Sequence, residues 1–182
     1  MTLREIITGA RKSISLQSYQ MDAAGQPQPN TRTFQVKIPD GVTEGSVIRL
    51  PGQGETGSGR GVSGDLLLRI HIAPDPRFAV DGYDLHTTVA VAPWEAVLGT
   101  KVDVQTIEGS VTLTIPKGSQ NGRKMRIRGK GLPKKGGRSG DIIVTLQIQV
   151  PTTLSNKEEQ LFKELAATSQ FNPRAKMRQR AS

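Results

Sequence analysis

The sequence predicts a mainly β fold: two tandem, similar β-sandwich or barrel-like modules, each with one short helix, and a further helix at the C-terminus. Three observations lead there. The stretch 36–54 recurs at 113–131 with a constant offset of 77, matching Ile38 with Ile115, Pro39 with Pro116, Gly41 with Gly118, Gly45 with Gly122, Arg49 with Arg126, Gly52 with Gly129 and Gly54 with Gly131. A fixed-period match of this kind marks a duplicated supersecondary unit. Apolar residues make up 35% of the chain and aromatics only 4%, so each core is thin and built mainly from Val, Ile and Leu. Twenty Gly and 11 Pro among 182 residues imply many turns between short strands.

The elements follow in order. Thr2 and Glu5 have capping-box spacing and Gly9 suits a left-handed stop, which predicts a two-turn helix over 3–8. Over 12–19, Ile14 and Leu16 alternate with Ser13, Ser15 and Gln17, a half-exposed strand. Residues 22–30, with Gly25, Pro27 and Pro29, read as a turn region. Phe34, Val36 and Ile38 alternate inward over 33–38, and a short strand follows at 46–50.

Gly52, Gly54 and Gly57 spell a G-x-G-x-x-G. A dinucleotide site would need a helix to open there, and Ser58-Gly-Arg-Gly-Val-Ser-Gly64 cannot form one, so the stretch reads as a hairpin loop. Gly64-Asp65 precedes a strand over 66–72, as Gly140-Asp141 precedes one over 142–150. The twin Gly-Asp pairs read as turn chemistry rather than catalytic carboxylates. Pro74-Asp-Pro76 closes the first module, residues 1–79.

The second module, residues 80–154, starts with a strand to Val91. A short helix over 93–98 has Pro93 at its first position and Gly99 as its stop. A hairpin of 101–107 and 110–115 follows. Residues 155–182 form a C-terminal helix and basic tail, with Ser155 and Glu158 as another capping box and Leu161, Phe162, Leu165 and Ala166 on one stripe.

The net charge is +9, and it is uneven. From Lys117 to Arg138 there are nine basic residues and no acid, and Arg174, Lys176, Arg178 and Arg180 follow the last acid, Glu164. Such blocks attract polyanions, or they are a solvated strand face and tail; no aromatic residues are interleaved for base stacking. There is no Cys, which removes disulfides, thiol nucleophiles and thiolate metal sites and suits a reducing compartment. No run of 18 apolar residues and no signal pattern is present, so a cytoplasmic protein without membrane contact is the expectation. No catalytic constellation stands out, so no enzyme, cofactor or metal is expected.

Taken together, Leu66–Phe78, Asp81–Leu85, Pro93-Trp-Glu-Ala-Val-Leu-Gly-Thr-Lys101, Ile115–Gly122 and Met125–Gly131 resemble the C-terminal substrate-binding region of DnaJ-type (J-domain) co-chaperones, in the class lacking the zinc-binding domain. The bacterial curved-DNA-binding-protein branch is especially similar. The helical J-domain with its His-Pro-Asp loop is absent, and the two histidines, His71 and His86, lie inside strands. The family's first module has one more strand before the short helix, so the chain is expected to start at or slightly inside that module.

The resemblance implies a shallow groove on the first module that binds extended, unfolded client polypeptides by strand addition and also takes the acidic tail of a DnaK-type chaperone. Ile14, Leu16 and Leu68 match groove-lining positions, and Lys12 a cation facing the acidic tail; ordinary core is the alternative for the three apolar residues. A homodimer is expected through Leu161, Phe162 and Leu165. The rival reading is DNA binding through Lys124, Arg126, Arg128 and Lys130, which would place the protein on the nucleoid.

Overall fold

The structure, a computed structural model, describes residues 1–21, 26–54 and 63–175. It is mainly β, and no closed barrel forms among the described residues. The chain divides into Met1–Ile148 and Gln149–Ser182.

The first unit opens with α1 (Leu3–Ile7), which has the expected capping box: Glu5 N–H donates to the Thr2 hydroxyl and Thr2 N–H to the Glu5 carboxylate. Leu3 and Ile6, one turn apart, are buried. β1 (Arg11–Met21) and β2 (Pro27–Lys37) form a long antiparallel hairpin in which Ile14 faces Phe34 and Lys12 faces Val36.

The expected turn region over 22–30 does not extend across its second part. Its first part, 22–25, lies outside the described residues, and 27–30 belong to β2. Ile38 N–H donates to the Ala10 carbonyl, so even-numbered residues of β2 face β1. Pro27 and Pro29 therefore stand where the missing N–H costs no ladder bond.

β3 (Val47–Leu50) pairs antiparallel with β4 (Leu66–Arg69), shorter than the 66–72 strand expected, so His71 lies beyond the strand and not inside it. The loop reading of the Gly-rich stretch falls mostly at 55–62, outside the described residues. β5 (Ala79–Asp81), which the alternation did not disclose, opens a four-stranded sheet of order β5-β6-β10-β9. The other members are β6 (Asp84–Val91), β9 (Lys124–Ile127) and β10 (Ile142–Ile148), with β6 and β10 parallel. Between them, α2 (Pro93–Leu98) leads into the hairpin of β7 (Thr100–Gln105) and β8 (Ser110–Ile115).

The duplication is visible bond by bond. Arg49 pairs with Asp65 and Arg126 with Asp141, and each carboxylate also accepts the N–H of a glycine, Gly52 or Gly129. Those two glycines have φ of 67° and 68°, the left-handed region that other residues enter at a cost. Gly54 N–H then donates to the Gly64 carbonyl and Gly131 N–H to the Gly140 carbonyl. The twin Gly-Asp pairs are thus hairpin closures. Hydrogen bonding to the glycine N–H, more than the arginine, holds the Asp141 carboxyl below the ordinary value of 3.8.

One buried cluster runs through the first unit. Leu3, Ile6, Val36, Ile38 and Ile70 join Leu85, Val104, Ile107, Ile127 and Ile142. Arg4 donates to the Ile107 carbonyl and Tyr83 O–H to the Gly41 carbonyl, so polar ties bridge the same elements. A smaller cluster of Val91, Ala96, Ile115 and Leu146 lies beneath α2.

The second unit contains α3 (Asn156–Thr168). Ser155 and Glu158 cap it reciprocally, and Lys163 pairs with Glu159 one turn away. None of its residues is buried.

Candidate functional site: an open strand edge and its cleft

β4 follows the strand period of two. Leu66 and Leu68 are half-buried, and Leu67 and Arg69 are exposed. Its backbone follows the same alternation. Ile70 N–H donates to the Ser46 carbonyl on the β3 side, so Leu66, Leu68 and Ile70 bond β3. The N–H and C=O groups of Leu67 and Arg69 point to the opposite edge, where no strand pairs among the described residues. Farther along that edge the backbone of Met1 is engaged: its amino group donates to the His71 carbonyl and its carbonyl accepts Ala73 N–H. In the duplicate, the matching edge of β10 is covered by β6, with Ile142 opposite Leu85 and Ile148 opposite Val91.

A cleft of about 350 Å³ runs along this open edge. Three of the four predicted groove residues, Lys12, Ile14 and Leu68, line it together. Leu16 does not; it lies farther along the hairpin, opposite Arg32. Ile14 and Leu68 both pack against the main core while lining the cleft, so the same side chains belong to the core and to the cleft wall.

Ile48, Leu67 and Arg69 also line the cleft and were missed. The alternation Leu66-Leu67-Leu68-Arg69 carried the signal for the last two, because a strand with one outward Leu and one outward Arg is not buried on both faces.

Electrostatics distinguish the two cations. The Lys12 ammonium lies 3.1 Å from the Glu5 carboxylate, which also caps α1. The Thr2 N–H first, and then Lys12, hold the Glu5 carboxyl below its ordinary 4.5. Arg69 is exposed and has no ion pair among the described residues. His71 sits 2.9 Å from Glu44, whose carboxylate is held below its ordinary range chiefly by the Ile72 N–H. The uncompensated charge at the cleft is therefore positive.

Of the basic candidates, Lys124 and Arg126 project from the exposed side of β9, and Arg128 and Lys130 follow in its turn. Arg126 is 3.0 Å from Asp141 and Lys130 is 3.1 Å from Glu108; Lys124 and Arg128 have no ion pair among the described residues. Lys176, Arg178 and Arg180 lie outside the described residues. On α3, Leu161, Phe162 and Leu165 are 50%, 37% and 62% exposed. Among the described residues no three His, Cys, Asp or Glu side chains gather as a metal site, and no helix is long and apolar enough to cross a membrane.

Residues 1–151 match the family model described as DnaJ C terminal domain. The chain is 47% identical to a protein named Curved DNA-binding protein of Pseudomonas putida (strain GB-1) over 174 residues, covering 95% of this chain and 55% of the relative. A protein of the same name in Coxiella burnetii (strain Dugway 5J108-111) is 43% identical over 178 residues, 97% of this chain and 56% of that one. Another, in Pseudomonas syringae pv. tomato, is 45% identical over 174 residues, 95% and 55% respectively. The chain spans about half the length of the curated relatives it matches.

Proposed function

The chain belongs to the DnaJ C-terminal domain family, and from that premise we propose that it is a non-enzymatic co-chaperone module that holds unfolded polypeptide on the open edge of β4. The observation that carries this reading is the coincidence of three features: edge groups at Leu67 and Arg69 that no strand pairs among the described residues, an apolar cleft beneath them, and a net positive rim. An added strand gains main-chain hydrogen bonds along the edge, while Ile14, Ile48 and Leu68 accept alternate apolar side chains. Arg69 favours a segment rich in carboxylates, which suits the acidic tail of a DnaK-type chaperone.

In this reading residues 1–79 are the peptide-binding domain and 80–154 its structural duplicate. The exposed stripe of Leu161, Phe162 and Leu165 in 155–182 pairs two chains, so that two clefts act on one client. The cytoplasm is the compartment where such clients and partner meet. Ile14→Asp places a charge in the cleft and weakens binding of a reduced, unfolded client at least tenfold, read by fluorescence anisotropy. Unchanged affinity in a folded variant removes the cleft from the reading.

A second reading is DNA binding on the nucleoid. It is favoured by Lys124 and Arg128, cations without an ion pair among the described residues, and by the name that the relatives carry. It predicts an affinity for duplex DNA that falls steeply with salt. A flat salt response in a titration dismisses it.

A further inference from the structure

We propose that the groove between β6 and β7 is a second strand-addition site, for an extended peptide carrying a basic residue. The argument rests on two strand edges that do not reach each other. On its outer side β6 pairs with β5 only from Asp84 to His86, yet it continues to Val91. Leu85 N–H donates to the Asp141 carbonyl, so odd-numbered residues of β6 bond β10. The N–H and C=O groups of Thr88 and Ala90 consequently face away from β10, on an edge that no strand covers among the described residues.

β7 has the complementary arrangement. Thr106 N–H donates to the Gly109 carbonyl, continuing the register in which Val104 faces Val111. Even-numbered residues of β7 therefore bond β8, and the backbone groups of Asp103 and Gln105 face outward. A groove of about 650 Å³ lies between these two edges, lined by Thr87–Ala90 on one wall and Asp103–Gln105 on the other. Phe78, Val89 and Val104 give it apolar lining. A strand laid there meets backbone donors and acceptors on both sides, which a single sheet edge cannot provide.

Charge selects the occupant. Asp75 in the groove is matched by Arg77 at 3.0 Å. The Asp103 carboxylate accepts the Thr112 hydroxyl at 2.7 Å and has no cation within ion-pair distance among the described residues. The uncompensated charge of this groove is thus negative, opposite to that of the cleft along β4. The two sites sort extended segments by charge: acidic ones to β4, basic ones to β6 and β7. This site does not depend on the β4 cleft being occupied.

The test uses the full chain and two dye-labelled nine-residue peptides of alternating Val and Thr, one with a central Lys and one with a central Glu. The Lys peptide binds the wild-type chain. Asp103→Lys reverses the preference to the Glu peptide by at least tenfold. Thr88→Pro removes an outward N–H that the β6–β10 ladder does not use, and it weakens Lys-peptide binding at least tenfold. Titration of the wild-type chain by NMR, which needs no variant, shifts the amides of Thr88, Ala90, Asp103 and Gln105. The proposal is overturned if the Lys peptide does not bind, if those amides stay still, or if both variants bind it as wild type does. It is equally overturned if Ile14→Asp alone abolishes Lys-peptide binding, which would assign that peptide to the β4 cleft and leave the proposed function standing.

Discussion

Arg69→Glu is the sharpest probe of the β4 cleft. Arg69 ends β4 on its outward side, lines the cleft and has no ion pair among the described residues. A peptide carboxylate seated about 5 Å from its guanidinium, at an effective dielectric of about 40 for a half-wet groove, gains about 1.7 kcal/mol. Reversing the charge replaces that gain with a repulsion of similar size, about 3 kcal/mol in all. At physiological salt, where the screening length is about 8 Å, roughly half survives, so affinity falls about tenfold to thirtyfold.

The folded state should tolerate the change within about 0.5 kcal/mol, because the side chain is exposed and has no ion pair among the described residues. Lys12→Ala costs less, about threefold at most, because Glu5 at 3.1 Å already neutralises that cation. The assay is fluorescence anisotropy with a dye-labelled peptide ending in two Glu residues, beside the same peptide ending in two Gln. The reasoning fails if both peptides lose affinity equally, or if Lys12→Ala costs more than Arg69→Glu.

Three further outcomes follow from the packing. Leu85 is fully buried in the cluster that joins the first unit, so Leu85→Ala lowers stability by about 3–4 kcal/mol in urea unfolding, whereas Val97→Ala on α2, where Val97 is 66% exposed, changes it by about 0.5 kcal/mol or less. The carboxyls of Glu5 and Asp75 are depressed below their ordinary 4.5 and 3.8, chiefly by the Thr2 N–H and by Arg77 respectively. In that acid range the unfolded chain binds more protons than the folded one. Their stabilisation is therefore complete above about pH 5 and is lost as pH falls below 4, which a denaturation series at stepped pH reads directly. The proposed pairing through α3 predicts a dimer in sedimentation that Leu161→Glu with Leu165→Glu converts to monomer; a wild-type monomer, or a mass unchanged by the substitutions, excludes α3 as a pairing surface.

The duplication was legible because it rests on residues whose backbone or contacts admit few substitutes. Gly52 and Gly129 must adopt positive φ, and Asp65 and Asp141 must reach both a glycine N–H and an arginine. Capping boxes at Thr2 and Ser155 were legible for the same reason: each is a local bond between residues three apart. β5 was not legible. It is three residues long with all three exposed, so it carries no alternation, and its pairing with β6 is set by the tight turn at Gly82-Tyr83. The open edge of β4 was not legible either, because edge status depends on which strand lies alongside, and alternation within a strand is silent about its neighbours.

The two modules therefore differ through strand neighbours more than through sequence. β10 is flanked by β9 and β6, so its outward backbone groups are spent inside the sheet. Among the described residues β4, its counterpart, has β3 alone, and the same groups at Leu67 and Arg69 remain available there. The second module transfers that availability one strand outward, to Thr88 and Ala90 on β6, where Asp103 and not an arginine sets the charge. A duplicated scaffold thus presents edges at different places with opposite signs. On the proposed reading, such a chain discriminates among extended segments without two unrelated folds, because the hydrogen-bonding requirement would be common to both edges and the selectivity would reside in one or two charged side chains at each.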